Sequence, residues 1–200
     1  SLVQLFKLQR RVFLFGGGIT NTMKNLGLVH IYTGEGKGKT TAAIGLGIRA
    51  CGRGLKVLMA QFLKGTETGE IPALKRLEPG FTLYRADCSF SKFTWEMSPE
   101  ELKKAGEIQN GIFQYMKKAA FSGEWDVIIL DEIMAAVNQK FLSKDEVIEF
   151  IRNKPDNVEL VLTGRDAPAE FIELADYVSE ISAVKHPMDK GIFAREGIEY

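Results

Sequence analysis

The chain has 200 residues, a length that fits one domain, or one domain with a tail, and a core that needs no covalent staple. Its 26 basic residues balance 26 acidic ones, and 45% hydrophobic with 26% charged content is the composition of a globular protein. Those values exclude wholesale disorder and argue against a protein whose main task is to coat nucleic acid or an acidic membrane.

The first 22 residues hold Lys7, Arg10 and Arg11 but no acid, then the breaker Gly16-Gly17-Gly18. They show neither the long apolar region nor the cleavage site of a signal peptide, and Met23 opens a segment that reads like a cytosolic start. Residues 1–27 are therefore expected to be an N-terminal extension, peripheral or non-native, with the domain proper over 28–200. From Leu28 the pattern turns regular. Leu28–Tyr32 reads as a strand running into a glycine loop, and residues 39–51 as a helix stopped by Gly52 and Gly54. Leu55–Phe62 is the second strand, Ile71–Leu77 a short helix and Phe81–Arg85 the third strand, followed by an irregular stretch to Met97.

Ser98-Pro99-Glu100-Glu101 carries a capping box with proline at the first helical position. Behind it Leu102, Ala105, Ile108, Ile112, Met116 and Ala119 form one apolar stripe at helical spacing. Val127–Leu130 is apolar at every position, as in a strand covered on both faces. Ser143 and Glu146 suggest a second capping box, for a helix ending near Arg152. Val158–Thr163 and Tyr177–Ile181 are further strands, separated by a helix from Pro168. About six strands alternating with helices predict a three-layer α/β fold with a mainly parallel central sheet.

Gly34-Glu35-Gly36-Lys37-Gly38-Lys39-Thr40-Thr41 lies between the first strand and the first helix. Glycines let backbone amides turn inward around phosphate oxygens, and the helix start adds its positive dipole end. Lys39 supplies a point charge and the Thr40 hydroxyl a Mg²⁺ ligand. The usual first glycine is Thr33 here, so the loop is a variant with extra glycines at 34 and 36. A second element agrees with it: Val127–Leu130 delivers Asp131 and Glu132 to a strand's carboxy end, where ligands of open parallel sheets bind. Asp131 could instead cap the next helix. The two cysteines, Cys51 and Cys88, form no CxxC pair, and two histidines are too few for a histidine metal cage. Cys51 reads as a small packing residue. No apolar run reaches the ~18 residues of a membrane span.

A longer set of blocks is more specific. "TGEGKGKTTAAIGLGIRACGRGLKV", "QFLKG" with Gly69-Glu70, "FTWE" at 93–96, "VIILDEI" at 127–133, "LTGRDAP" at 162–168 and "VKHPMDKGIFAREGIEY" at 184–200 follow in order. Together they resemble the P-loop-type ATP:corrinoid adenosyltransferases over about residues 28–200. The first 27 residues do not match the polar N-terminal helix of longer members. The resemblance implies a RecA-like P-loop fold and transfer of the 5′-deoxyadenosyl group of ATP to the reduced cobalt of a corrinoid, either cob(I)alamin or cob(I)yrinic acid a,c-diamide, with triphosphate leaving. Adenosylcobalamin biosynthesis and salvage stay equally open. Cobalt is the nucleophile, in keeping with a chain whose motifs offer no nucleophile–base pair.

On that resemblance Gly34, Gly36, Lys37, Gly38, Lys39, Thr40 and Thr41 hold the triphosphate, with Lys37 adding charge for the leaving group. Thr40 and Glu132 surround Mg²⁺ or Mn²⁺, with Asp131 in support. Phe93 and Trp95 would form an apolar lid that displaces the axial base of the corrinoid and tunes its reduction; most such aromatics are simply packing residues. Arg165, at a strand end, could reach phosphate or a corrinoid amide. Gln61, Lys64, Lys185 and His186 are candidate wall residues, and His186 lacks the motif of a cobalt ligand. The family further implies a homodimer, a flavin-dependent reductant and a cytoplasmic location. Two other functions share the nucleotide motifs: an ordinary P-loop ATPase or phosphotransferase, and a nucleotide-dependent switch.

Overall fold

A computed structural model describes residues 26–65, 67–86 and 96–200. Phe93, Trp95 and Cys88, with the extension up to residue 25, lie outside the described residues. Six strands, β1 (Val29–Thr33), β2 (Val57–Gln61), β3 (Phe81–Tyr84), β4 (Val127–Asp131), β5 (Glu159–Thr163) and β6 (Tyr177–Glu180), form one sheet in the order β3-β2-β4-β5-β1-β6. Every neighbouring pair is parallel. All carboxy ends therefore emerge at one edge.

Both faces of the sheet are covered, which is why the central strands are apolar without alternation. One face presents Leu58, Ala60, Ile128, Leu130, Leu160 and Leu162 to α3 (Pro99–Phe121), α4 (Ile133–Asn138), α5 (Lys144–Asn153) and α6 (Ala169–Leu174). The other presents Val57, Met59, Val127, Ile129 and Val161 to α1 (Lys39–Cys51) and α2 (Glu70–Lys75). The expected three layers are present, and the strand limits agree with the sequence reading to within one or two residues.

Helix α3 begins as expected: the Ser98 hydroxyl accepts from the Glu101 amide, and the Glu101 carboxylate accepts from the Ser98 amide at 2.7 Å. The second capping box is only half formed. Ser143 accepts from the Glu146 amide at 3.4 Å, but the Glu146 carboxylate takes Lys117 Nζ and Gln114 Nε2 of α3, both at 2.8 Å. A charge-assisted bond to a lysine has displaced the return to the cap. Helix α4 is the helix that Asp131 could instead have capped, and the sequence sets it no bounds. It follows β4 without a turn signal, and its apolar residues Ile133, Met134, Ala136 and Val137 are all buried, so it carries no amphipathic period to read. Beyond β6 the chain runs as an exposed tail with one 3₁₀ turn, Pro187–Lys190. Among the described residues no helix is long and apolar enough to cross a membrane.

Candidate active site

The loop after β1 meets helix α1 at Lys39, with Gly38 as N-cap and no side chain capping the first turn. No acid occupies that turn, so its amides and dipole are left for an anion. The variant glycines have a steric cause. Gly36 N donates to the Ile181 carbonyl at 2.6 Å, and a Cβ on Gly36 would come within 2.7 Å of that oxygen. A Cβ on Gly34, whose φ is +97°, would meet the same oxygen at 2.6 Å. The loop is thus pressed against the chain leaving β6, and only glycine fits there.

Lys39 is buried and folds back over the loop, donating to the carbonyls of Gly34 (2.6 Å) and Gly36 (2.9 Å). Burial pulls its ammonium below the ordinary lysine range, against the opposing attraction of Glu132.

At the end of β4, Asp131 is wholly buried and accepts from four side chains. Thr40 Oγ1 (2.9 Å) and Thr163 Oγ1 (2.7 Å) donate to Oδ1; Lys64 Nζ (2.9 Å) and Gln61 Nε2 (3.3 Å) donate to Oδ2. These partners come from α1, β5, the loop after β2 and β2 itself, so one carboxylate ties four segments of the sheet edge together. Asp131 does not cap α4, whose N-cap is Glu132. Glu132 adopts a left-handed conformation, φ 62°, and its amide donates to Thr163 Oγ1 at 2.9 Å. That backbone geometry is uncommon outside glycine. Burial pushes the Glu132 carboxyl above the ordinary glutamate range, and the charge of Asp131 adds to the effect.

A cleft of about 660 Å³ joins these parts. Its walls include residues 35–41, Lys64, Glu70, Glu132, Arg165, His186 and the tail residues 197–200. The structure thus gathers every described candidate except Gly34, Asp131, Gln61 and Lys185 onto one surface, and Gly34, Asp131 and Gln61 stand directly behind it. Arg165 is exposed at the mouth and pairs with Glu35 at 3.0 Å. His186 Nδ1 accepts from the Met188 amide, which occupies one of its two ring nitrogens.

Sequence reasoning missed Thr163, Glu70 and Glu199. Glu70 accepts from Gln61 at 3.2 Å. Burial opposes its ionisation but hydrogen bonds, from its own amide first, hold it below the usual carboxylate range. Thr163 ends β5 within "LTGRDAP", and a threonine closing a strand carries no signal of its own. Glu199 sat in the final "GIEY", which carries no strand or helix signal.

A parallel sheet with a glycine-rich loop after its first strand and an acidic pair at the end of its fourth defines an α/β protein of the P-loop layout. Its fold is similar to that of the flagellar accessory protein FlaH from Methanocaldococcus jannaschii, with a TM-score of 0.50 and 19% identity, over 87% of this chain and 76% of that one. Sequence comparison is more specific. The family model for ATP:corrinoid adenosyltransferase BtuR/CobO/CobP matches residues 25–200. The corrinoid adenosyltransferase of Escherichia coli K12 is 36% identical over 87% of this chain and 86% of its own length. Corrinoid adenosyltransferase CobA of Salmonella typhimurium is 34% identical over 91% and 90%, respectively. The chain belongs to the ATP:corrinoid adenosyltransferase family.

Proposed function

We infer that the protein transfers the 5′-deoxyadenosyl group of ATP to the reduced cobalt of a corrinoid. A cobalt–carbon bond forms at C5′, the C5′–oxygen bond breaks, and triphosphate leaves with that electron pair. The observation that carries this reading over an ATPase is the family match through residues 25–200, which takes in the tail as well as the phosphate loop. Residues 28–200 form the transferring domain, to which Gly27 is tied through Glu159 and Lys154.

The residues of the cleft have tasks of orientation and charge. Amides of residues 37–41 and the Lys39 ammonium would bind the triphosphate, Lys39 exchanging the carbonyls of Gly34 and Gly36 for phosphate oxygens while the Gly36 amide stays on Ile181. Thr40 is held in place by Asp131. The donor set suits a hard cation: the Thr40 hydroxyl and the Glu132 carboxylate at the cleft, Asp131 behind them, and Gln61 Oε1, which among the described residues is buried without a hydrogen-bond partner. Phosphate oxygens of the triphosphate would complete the coordination of such an ion. Mg²⁺ or Mn²⁺ bound there would neutralise charge on the leaving triphosphate. Arg165 stands at the mouth, free to exchange Glu35 for phosphate or a corrinoid amide. Phe93 and Trp95 belong to the apolar lid over the corrinoid. A homodimer in the cytoplasm, supplied by a flavin-dependent reductant, completes the proposal.

The test is anaerobic and spectroscopic. Protein, Mg-ATP and chemically reduced cobalamin are expected to give a light-sensitive cobalt–carbon product together with triphosphate. Steady orthophosphate release with no such product would assign the chain to ATP hydrolysis instead.

A further inference from the structure

Four donors converge on the carboxylate of Glu199. Lys37 Nζ at 2.8 Å and Arg195 Nη2 at 3.1 Å reach Oε1; the Arg195 amide at 2.8 Å and its Nε at 3.2 Å reach Oε2. Three of the four come from Arg195, within one turn of the tail. The fourth comes from the phosphate loop, 162 residues away in sequence. Hydrogen bonds from Arg195 and then Lys37 hold the carboxyl down to about 2, so the group is an anion at any physiological pH. A bond from the Gly197 amide to the Tyr200 carbonyl, 2.7 Å, closes the turn that presents it. Glu199 and Lys37 both line the cleft that holds Lys39, Glu132 and Arg165.

We propose that Glu199 is an internal anion that pairs with Lys37 and competes with the triphosphate for it, weakening polyphosphate binding and easing release of the product. The exchange is chemically balanced. Lys37 gives up one carboxylate oxygen for one phosphate oxygen, and Glu199 keeps the three donors of Arg195, so no charge is left unpaired. The Lys37 side chain is 51% exposed and that of Glu199 23%, so solvent screens the pair and the competition is worth a few-fold in affinity rather than orders of magnitude. The glycines that press the loop onto Ile181 give the tail a fixed point from which to reach Lys37. Glu199 is thus a positioning residue, acting on the ligand through Lys37.

This inference rests on the cleft binding a polyphosphate and does not depend on adenosyl transfer. Its test is calorimetric titration of the full chain with inorganic triphosphate and magnesium chloride. Failure of the unaltered protein to bind would overturn the polyphosphate reading and this inference with it. Given binding, Glu199→Gln, which keeps an acceptor for Arg195, is expected to bind about threefold tighter at low salt, with the gap closing as salt rises. In a Lys37→Gln background the same change is expected to lose most of its effect. Equal or weaker binding by the single variant, or a gain that persists in full without Lys37, would overturn the proposal. Thermal melts of each variant identify any loss of fold.

Discussion

The cleft has two walls that rest on different physics. On one side the strand ends β2, β4 and β5 meet at Asp131, which is wholly buried and fixed by Thr40, Thr163, Lys64 and Gln61. On the other side the tail beyond β6 is exposed, and Val184 and Phe193 within it are 89% and 74% accessible. It is held to the phosphate loop by the Gly36–Ile181 bond and by Lys37–Glu199. Low dielectric makes each contact of the first wall costly to break and slow to rearrange, whereas contacts of the second exchange with water and salt. On the proposed function, the first wall would hold the triphosphate in register and the second would let it go.

The sharpest way to break this contrast is to remove a charge from the buried wall. Asp131→Asn leaves Lys64 only its 4.0 Å contact with Glu70 and turns an NH2 group toward two of the four donors. It is expected to cost about 3 kcal/mol, read as a lower urea midpoint at unchanged slope. Glu132→Gln, one residue later, is the control. Burial already disfavours the charge of Glu132, so the amide is expected to keep the midpoint at or above that of the unaltered chain while lowering the transfer rate. A loss of stability in the second variant as large as in the first would erase the distinction between the two neighbouring carboxylates.

The joint between the walls comes next. Gly36→Ala places a methyl group within 2.7 Å of the Ile181 carbonyl, a backbone atom that no rotamer can move aside. Loop and tail must separate, at an expected cost of roughly 1–3 kcal/mol, with weakened triphosphate binding. Calorimetry and a melt on the same sample read both effects. Retention of both would mean that the loop does not lean on the tail.

Much of the first wall was legible in the sequence, and little of the second. The phosphate loop declares itself because strand, glycines, lysine and threonine must be contiguous to do their work. Asp131 declares itself because an apolar strand rarely ends in two acids without reason. Gln61 and Lys64 could be placed near the pocket from their position at and just after the end of β2. What no local pattern could give is the pairing of distant segments: Thr163 on Asp131 depends on β5 lying between β1 and β4, and Glu199 on Lys37 depends on where an irregular tail returns. The tail has neither periodicity nor caps of helical length, and Gly34 and Gly36 reveal their purpose only once Ile181 is beside them. The half-formed capping box at Ser143 failed for the same reason, since Lys117 reaches Glu146 from another helix.

A smaller effect at the opposite edge of the sheet gives the buried contacts a pH signature. Glu159 is only 12% exposed at its side chain; it takes His30 Nε2 at 2.6 Å and the amides of Gly27 and Leu28 at 2.7 and 2.9 Å. Burial alone would raise its pKa, but these hydrogen bonds, led by His30, hold it below the value of 4.5 expected of a free glutamate. Folding therefore favours the charged form. The stabilisation is complete above the unfolded pKa and is lost as pH falls through the lower, folded one. Glu159→Gln is expected to cost about 1 kcal/mol at neutral pH and progressively less below about pH 4.5. A difference that is constant from pH 7 to pH 3 would show that the carboxylate charge contributes nothing.

The least effect is expected in the exposed wall. Phe193 is 74% accessible, so truncating it removes few packed neighbours and leaves no cavity. Phe193→Ala is expected to move global stability by no more than about 0.5 kcal/mol. Amide hydrogen exchange gives the matching readout: protection across β4 should follow global unfolding, whereas amides in 182–200 should exchange through local opening in both proteins. If Phe193→Ala instead lowered protection in β4, the tail would be part of the cooperative core, and its contact through Lys37 could not yield to an incoming phosphate independently of the sheet.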